Sequence, residues 1–258
     1  MNHFRLEVLC SVLCLLTSLQ LTADESTKPQ DSAQKVIVQK SIGTAVNKDK
    51  EFFYTEEDNI EIADDHIRKI DSSYKDKDSK LMVEMHADFS KRPYFPEITF
   101  VDHRKDVGFK ILSGAKENTI DISQNLKDAK EMKSKTLNFK EDMMNSMGLI
   151  NFIRENIAGL KLKTKSFRYV VPALMDDFGM SLEFRENTDP KDTSVRFAFR
   201  LESFFIRNIA GVKESLLSFD EKRRFIKSFN GVSNILDGSN KPVEVAITYS
   251  YPTETRTK

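Results

Sequence analysis

Histidine is the side chain whose charge changes near neutral pH and the one most often found on transition metals, so the histidines come first. The chain has four. His3 sits in the N-terminal leader, which leaves His66, His86 and His103. His86 lies between Glu84 and Asp88 in a period-two run, and His103 follows Asp102. Two histidines and neighbouring carboxylates could hold a hydrolytic metal. The alternation puts them diagonally across two strands and out of register, with Asp102 and His103 on opposite faces. No metal site is therefore expected, and His86 and His103 are the residues that would hold one. His66 follows Asp64 and Asp65 at what reads as a helix start, where acids cap the first turn and oppose its dipole.

The other chemistries lack their signatures. Both cysteines, Cys10 and Cys14, fall in the N-terminal apolar segment, which removes thiol catalysis and thiolate metal sites from the remainder. There is no G-x-S-x-G elbow, H-E-x-x-H helix, P-loop or G-x-G-x-x-G turn. Nine glycines in 258 residues offer little close backbone approach to a phosphate. The acid-rich stretches Glu56-Glu57-Asp58 and Asp64-Asp65 lack the spacing and glycine of a calcium loop. Neither an enzyme nor a cofactor is expected.

The apolar inventory says more. Nineteen phenylalanines and nine methionines, with no tryptophan, give a soft aromatic interior. Methionine fills irregular gaps and lines adaptable binding surfaces. Met143 and Met147 on an expected helix, with Phe197 and Phe199 on an expected strand, are the candidates for lining a cavity between helices and sheet. Two functions follow. The first is a non-enzymatic protein acting on an extracellular macromolecular partner. The second is a carrier of a lipid-like small molecule.

Residues 1–23 read as a secretory signal peptide. Arg5 precedes the apolar stretch Val8 to Leu21, and Ala23 offers a small residue at a cleavage point. Residues 24–34 are polar, contain Pro29, and read as a disordered leader to a single domain over 35–258. A secreted, extracellular product without cysteine must be held together by burial. Lysine plus arginine equals aspartate plus glutamate at 40 each, so no single-sign field steers the protein to nucleic acid. The polar stretch Thr253 to Lys258 offers no membrane anchor.

These residues must be positioned by a sheet and a few helices. Short strands are expected at Val36–Val38, Phe52–Tyr54 and Ile60–Ile62, with Asp71–Lys80 a solvated loop or helix end. Leu81 to Phe89 alternates clearly, and runs at Ile98–Asp102, Val107–Ile111 and Ile120–Ile122 complete an antiparallel meander. Phe139, Met143, Met147, Ile150, Ile153, Ile157 and Leu160 form one helical stripe, with Asn138 and Glu141 as a capping box and Gly159 as the stop. Strands return at Phe167–Val171, and Met180–Phe184 pairs with Val195–Phe199 as a hairpin. Two further helices are expected, over about 201–219 and from Ser218 to Leu236. Val243 to Tyr251 closes the chain as a strand returning to an established sheet. The sequences FIRENIAGLK (152–161) and FIRNIAGVK (205–213) resemble one another as duplicated helix ends. The sum is an α+β fold: a mainly antiparallel sheet of about 7–10 strands with three amphipathic helices on one face.

Overall fold

The computed structural model describes residues 36–125, 132–187, 189, 191–203, 214–239, 241–252 and 255–256. The expected signal peptide and leader, and the second repeat copy at 205–213, lie outside them. Eight strands come first: β1 Val36–Asn47, β2 Phe52–Ala63, β3 His66–Lys75, β4 Leu81–Asp88, β5 Glu97–Asp102, β6 Val107–Ser113, β7 Thr119–Asn125 and β8 Lys133–Asn138. Each pairs antiparallel with the next. A short β9, Met143–Met144, leads through helix α1, Ser146–Leu160, to β10, Lys165–Val171, and β9 pairs parallel with β10. From there β11 Asp176–Arg185, β12 Ser194–Leu201, β13 Ser215–Asp220, β14 Ile226–Leu236 and β15 Pro242–Ser250 meander back. β15 pairs antiparallel with β1 and joins the two halves, while β16, Thr255–Arg256, adds to the other end of β1. The result is one sixteen-stranded sheet with β8 at one edge and β9 at the other.

Local chemistry explains the hairpins. Asn47, Asp76 and Asp237 each accept two backbone N–H bonds from residues two and four further on, turning the chain between successive strands. Asp64 and Asp65 both adopt positive φ, 52° and 65°, the conformation a two-residue hairpin loop demands and one that aspartate tolerates.

The sheet curls into a β-barrel-like fold. Ile120 and Ile122 of β7 share a core with Val170 of β10, although eleven strands lie between β7 and β10 along the sheet. Its edges approach through side chains rather than strand pairing: Gln124 donates to the Pro172 carbonyl, and Lys135 pairs with Asp176 at 3.4 Å. A second core gathers Leu182, Phe197, Leu217 and Phe219 against Leu149, Ile153, Ile157 and Leu160 of α1.

The expected α+β fold with three helices is therefore overturned. Among the described residues α1 is the one α-helix, and the strands far exceed ten. The first helix exists but begins later. Asn145, not Asn138, is its cap, accepting from the Gly148 N–H at 3.0 Å, and Asn138 ends β8. Gly159 lies inside α1, which runs on to Leu160. The expected helix over 201–219 falls on the end of β12, on 204–213 outside the described residues, and on β13. The expected Ser218–Leu236 helix is β13 and β14. Phe225, Phe229, Val232 and Leu236 fall at helical spacing, but Val232 is exposed and Ile226, Ser233 and Ile235 are the buried residues of β14, where register shifts near Phe219 and after Val232 change which alternate residue points inward. Asp71–Lys75 is strand, and His66 opens β3.

Candidate functional site

The structure separates the residues expected to act together. His86 Nδ1 lies 2.6 Å from Asp71, and His103 Nε2 lies 2.7 Å from Glu84. Each imidazole thus meets its own carboxylate on an exposed face, and the two are not brought together. Among the described residues no group of three or more potential ligands could hold a metal ion. Met147 and Phe199 line an interior space. Met143 and Phe197 sit instead in the two packed cores, at 2% and 0% exposure.

The interior polar site is built on β2. Tyr54, Glu56 and Asp58 alternate on its inward face, in line with Ile60 and Ile62. Strand register then fixes their neighbours. Gly43 of β1 and Tyr74 of β3 flank Glu56, and Ser41 and Ser72 flank Asp58. Tyr249 of β15 lies across from Gly43. Tyr74 donates to Glu56 Oε1 at 3.1 Å and Tyr249 donates to Glu56 Oε2 at 3.0 Å. Ser41 donates to Asp58 Oδ2 at 2.5 Å. The Tyr54 hydroxyl meets Ser233 at 3.2 Å, and its ring stands edge-on to Tyr74.

Charge is the unusual feature. Both carboxyls are buried, and no lysine or arginine among the described residues pairs with either. Burial pushes Glu56 well above the usual carboxylate range, and the nearby charge of Asp58 pushes it further. Burial likewise raises Asp58, partly offset by the neighbouring Ser41 and Ser72 hydroxyls. Tyr74 and Tyr249 are held far above the ordinary phenol value, by burial first and then by Glu56. The other buried ions differ: Asp102 has Arg104 at 2.6 Å, and Arg154 has Asp65 at 2.9 Å. Around the acids, Asp58 Oδ1, Ser72 Oγ and Gln39 Oε1 are buried without a hydrogen bond of good geometry.

Glu56, Tyr54, Tyr74 and Tyr249 line an inner cavity of about 150 Å³, with Met147, Ile150, Phe199 and Phe229 on its apolar walls. A larger space of about 500 Å³ lies beside it, between Ile98, Phe100, Phe109 and Ile111 on one side and Tyr169, Val170 and Leu236 on the other. The two meet along Ser146, Tyr169, Val232, Ser233 and Asn234, which line both. Burial pushes the Tyr169 hydroxyl up to about 12, so it stays protonated there.

Glu56 and Asp58 are not residues that sequence reasoning singles out. As a contiguous Glu-Glu-Asp they read as a solvated run. The available signal is alternation: positions 54, 56 and 58 continue the face of Ile60 and Ile62, while Glu57 points the other way.

No family model and no curated protein matches the sequence. Among solved structures, the chain is similar to a crystal structure of a β-barrel-like protein of domain of unknown function DUF1849 from Brucella abortus, with a TM-score of 0.43 and 6% identity over 88% of this chain and 100% of that one. At that score nothing about ligand, activity or partner passes from that protein to this chain.

Proposed function

We propose that this protein binds and carries a hydrophobic small molecule inside its curled sheet. The observation that carries the reading is the space of about 500 Å³ walled by Ile98, Phe100, Phe109, Ile111 and Val170. Apolar concave sites with a few placed polar groups are where small ligands bind. A well-packed interior holds few voids larger than a water molecule. Phe100 and Phe109 stack at 4.8 Å and form a flat wall against which an apolar body lies. Release to the exterior, as the N-terminal segment suggests, fits a carrier and belongs to the same proposal.

Native mass spectrometry of gently purified protein tests this, with displacement of a fluorescent apolar probe as the second readout. A bound mass, or probe binding at one site, is expected. A bare polypeptide mass together with no probe binding overturns the proposal.

The other function expected from sequence, docking on a macromolecule, is supported by one feature. β8 ends the sheet, and its residues from Lys133 to Thr136 are exposed, an edge on which an extended peptide could add as a strand. That reading needs no interior ligand.

A further inference from the structure

We infer that the ligand's polar end is an organic ammonium group, seated at Glu56 among Tyr54, Tyr74 and Tyr249, with its apolar remainder extending toward the larger space. This rests on the carrier reading and adds the chemical class of its ligand.

Four observations point the same way. The inner cavity is lined by one acid and by no basic side chain. Glu56 and Asp58 are both buried, yet no cation among the described residues pairs with either, whereas buried charges in proteins are normally paired. Glu56 itself accepts from two neutral phenols, Tyr74 at 3.1 Å and Tyr249 at 3.0 Å, and neither brings a charge. An ammonium beside the cavity-lining acid supplies the missing charge together with N–H donors. Finally, three tyrosine rings border the acid, and aromatic faces attract cations, more strongly where water is excluded.

The alternatives fit less well. A fatty acid would set a carboxylate beside two buried acids with no basic residue to receive it. An alcohol brings one donor and no charge.

Without a ligand, burial and the Asp58 charge favour the protonated form of Glu56. The groups facing Glu56 are Asp58 and Tyr54 on its own strand, Tyr74 on β3 and Tyr249 on β15, none of them basic. Seating an ammonium therefore expels a proton from the acid pair into solvent, and the ligand's positive charge takes its place.

The test uses the full chain and three ligands with one ten-carbon tail: decylammonium, decanol and decanoate, each below its aggregation threshold. Titration calorimetry at neutral pH in two buffers of different ionisation enthalpy gives affinity and proton count together. Decylammonium is expected to bind roughly tenfold to a hundredfold tighter than decanol, the worth of a charge-assisted contact. Up to one proton should be released, and decanoate should be weakest. Glu56→Gln keeps an acceptor for one tyrosine, offers its amide N–H to the hydroxyl of the other, and should abolish the preference and the proton release while decanol binding persists. Equal affinities, or preference for decanoate, overturn the ammonium inference and leave the carrier reading standing. Failure of all three to bind overturns both. Because the ligands are compared on the natural chain, the outcome is decisive even if the variant does not fold.

Discussion

The Tyr249 hydroxyl reaches Glu56 Oε2, 3.0 Å away, by lying across Gly43. Gly43 stands between them in register on β1, facing Tyr249 on one side and Glu56 on the other. A methyl group there would sit 2.7 Å from the tyrosine ring, closer than such contacts occur. Glycine usually weakens a strand interior, and a close approach is one reason to find it there. Here it lets a side chain two strands away reach the buried acid.

Gly43→Ala should therefore push the ring away and break that hydrogen bond. A loss of about 1–3 kcal/mol is expected from overpacking and from the acceptor left short of a donor. Tyr249→Phe removes the hydrogen bond and keeps the ring, so it should cost about 1 kcal/mol. Denaturant unfolding of both variants checks the relationship. Natural stability in Gly43→Ala would show that the glycine is not needed for the crossing.

Stability should depend on pH through Glu56. Its folded pKa lies well above its unfolded one, because burial and the Asp58 charge both oppose ionisation. The folded state then holds a proton that the unfolded state has released. The stabilisation is complete below the unfolded value of about 4.3 and is lost as pH rises toward the folded one, by up to about 1.4 kcal/mol per pH unit for one proton. Asp58, raised in the same direction, adds to the slope. Glu56→Gln should flatten this dependence and gain stability at neutral pH. Thermal melts from about pH 4 to 8 follow the decline above the unfolded value. Parallel profiles for variant and natural chain would count against a buried, protonated Glu56.

The sequence discloses the strands better than the helices, for reasons residues make plain. Leu81 to Phe89 and Val243 to Tyr251 alternate without interruption, and both form strands where expected. The hairpin register is legible too, since Phe184 pairs with Phe197 as alternation requires. Ile226 to Leu236 is not legible, because register shifts near Phe219 and after Val232 break the alternation that marks a strand. The site is less legible still. Nothing in the strands and turns between Glu56 and Met147 tells that the two border one cavity; curling of the sheet decides it. Met147 shares a packed core with Met143 and Phe199 packs against the other core, yet both also border the cavity, whereas Met143 and Phe197 line neither space.

Arg154 anchors α1 to the β2–β3 hairpin. Its guanidinium is nearly fully buried, donating to the Asp65 carbonyl at 2.8 Å and to Asp65 Oδ1 at 2.9 Å, while Nε has no partner. Arg224 reaches the other oxygen of the same carboxylate, and that bond leads the causes holding Asp65 below its usual range. Asp65→Ala leaves a buried cation with only a carbonyl. Asp65 is itself largely exposed, so a cost of about 1–3 kcal/mol is expected rather than that of a wholly buried pair. Asp65→Asn, which keeps an acceptor, should recover part of it. Hydrogen exchange of α1 amides reads the anchor locally, and unchanged protection in Asp65→Ala would sink it.

The larger cavity can be closed at its rim without touching the buried acids. Ala173 follows Pro172 in the short helical turn after β10, is exposed, and borders the space. An indole placed there can fold over the opening toward Phe109 and Leu236, which border the same space. Because no core side chain is replaced, stability should stay within about 0.5 kcal/mol of the natural chain. Binding of an apolar fluorescent probe should nonetheless weaken by at least about tenfold, or about 1.4 kcal/mol. Phe109→Ala makes the opposite change, enlarging the space at a stability cost of a few kcal/mol, about 3 if its site does not collapse. Probe titration of Ala173→Trp beside its melting curve separates a blocked entrance from a damaged fold. An unchanged affinity in a folded Ala173→Trp protein would mean that ligands do not enter between the Pro172 turn and β6.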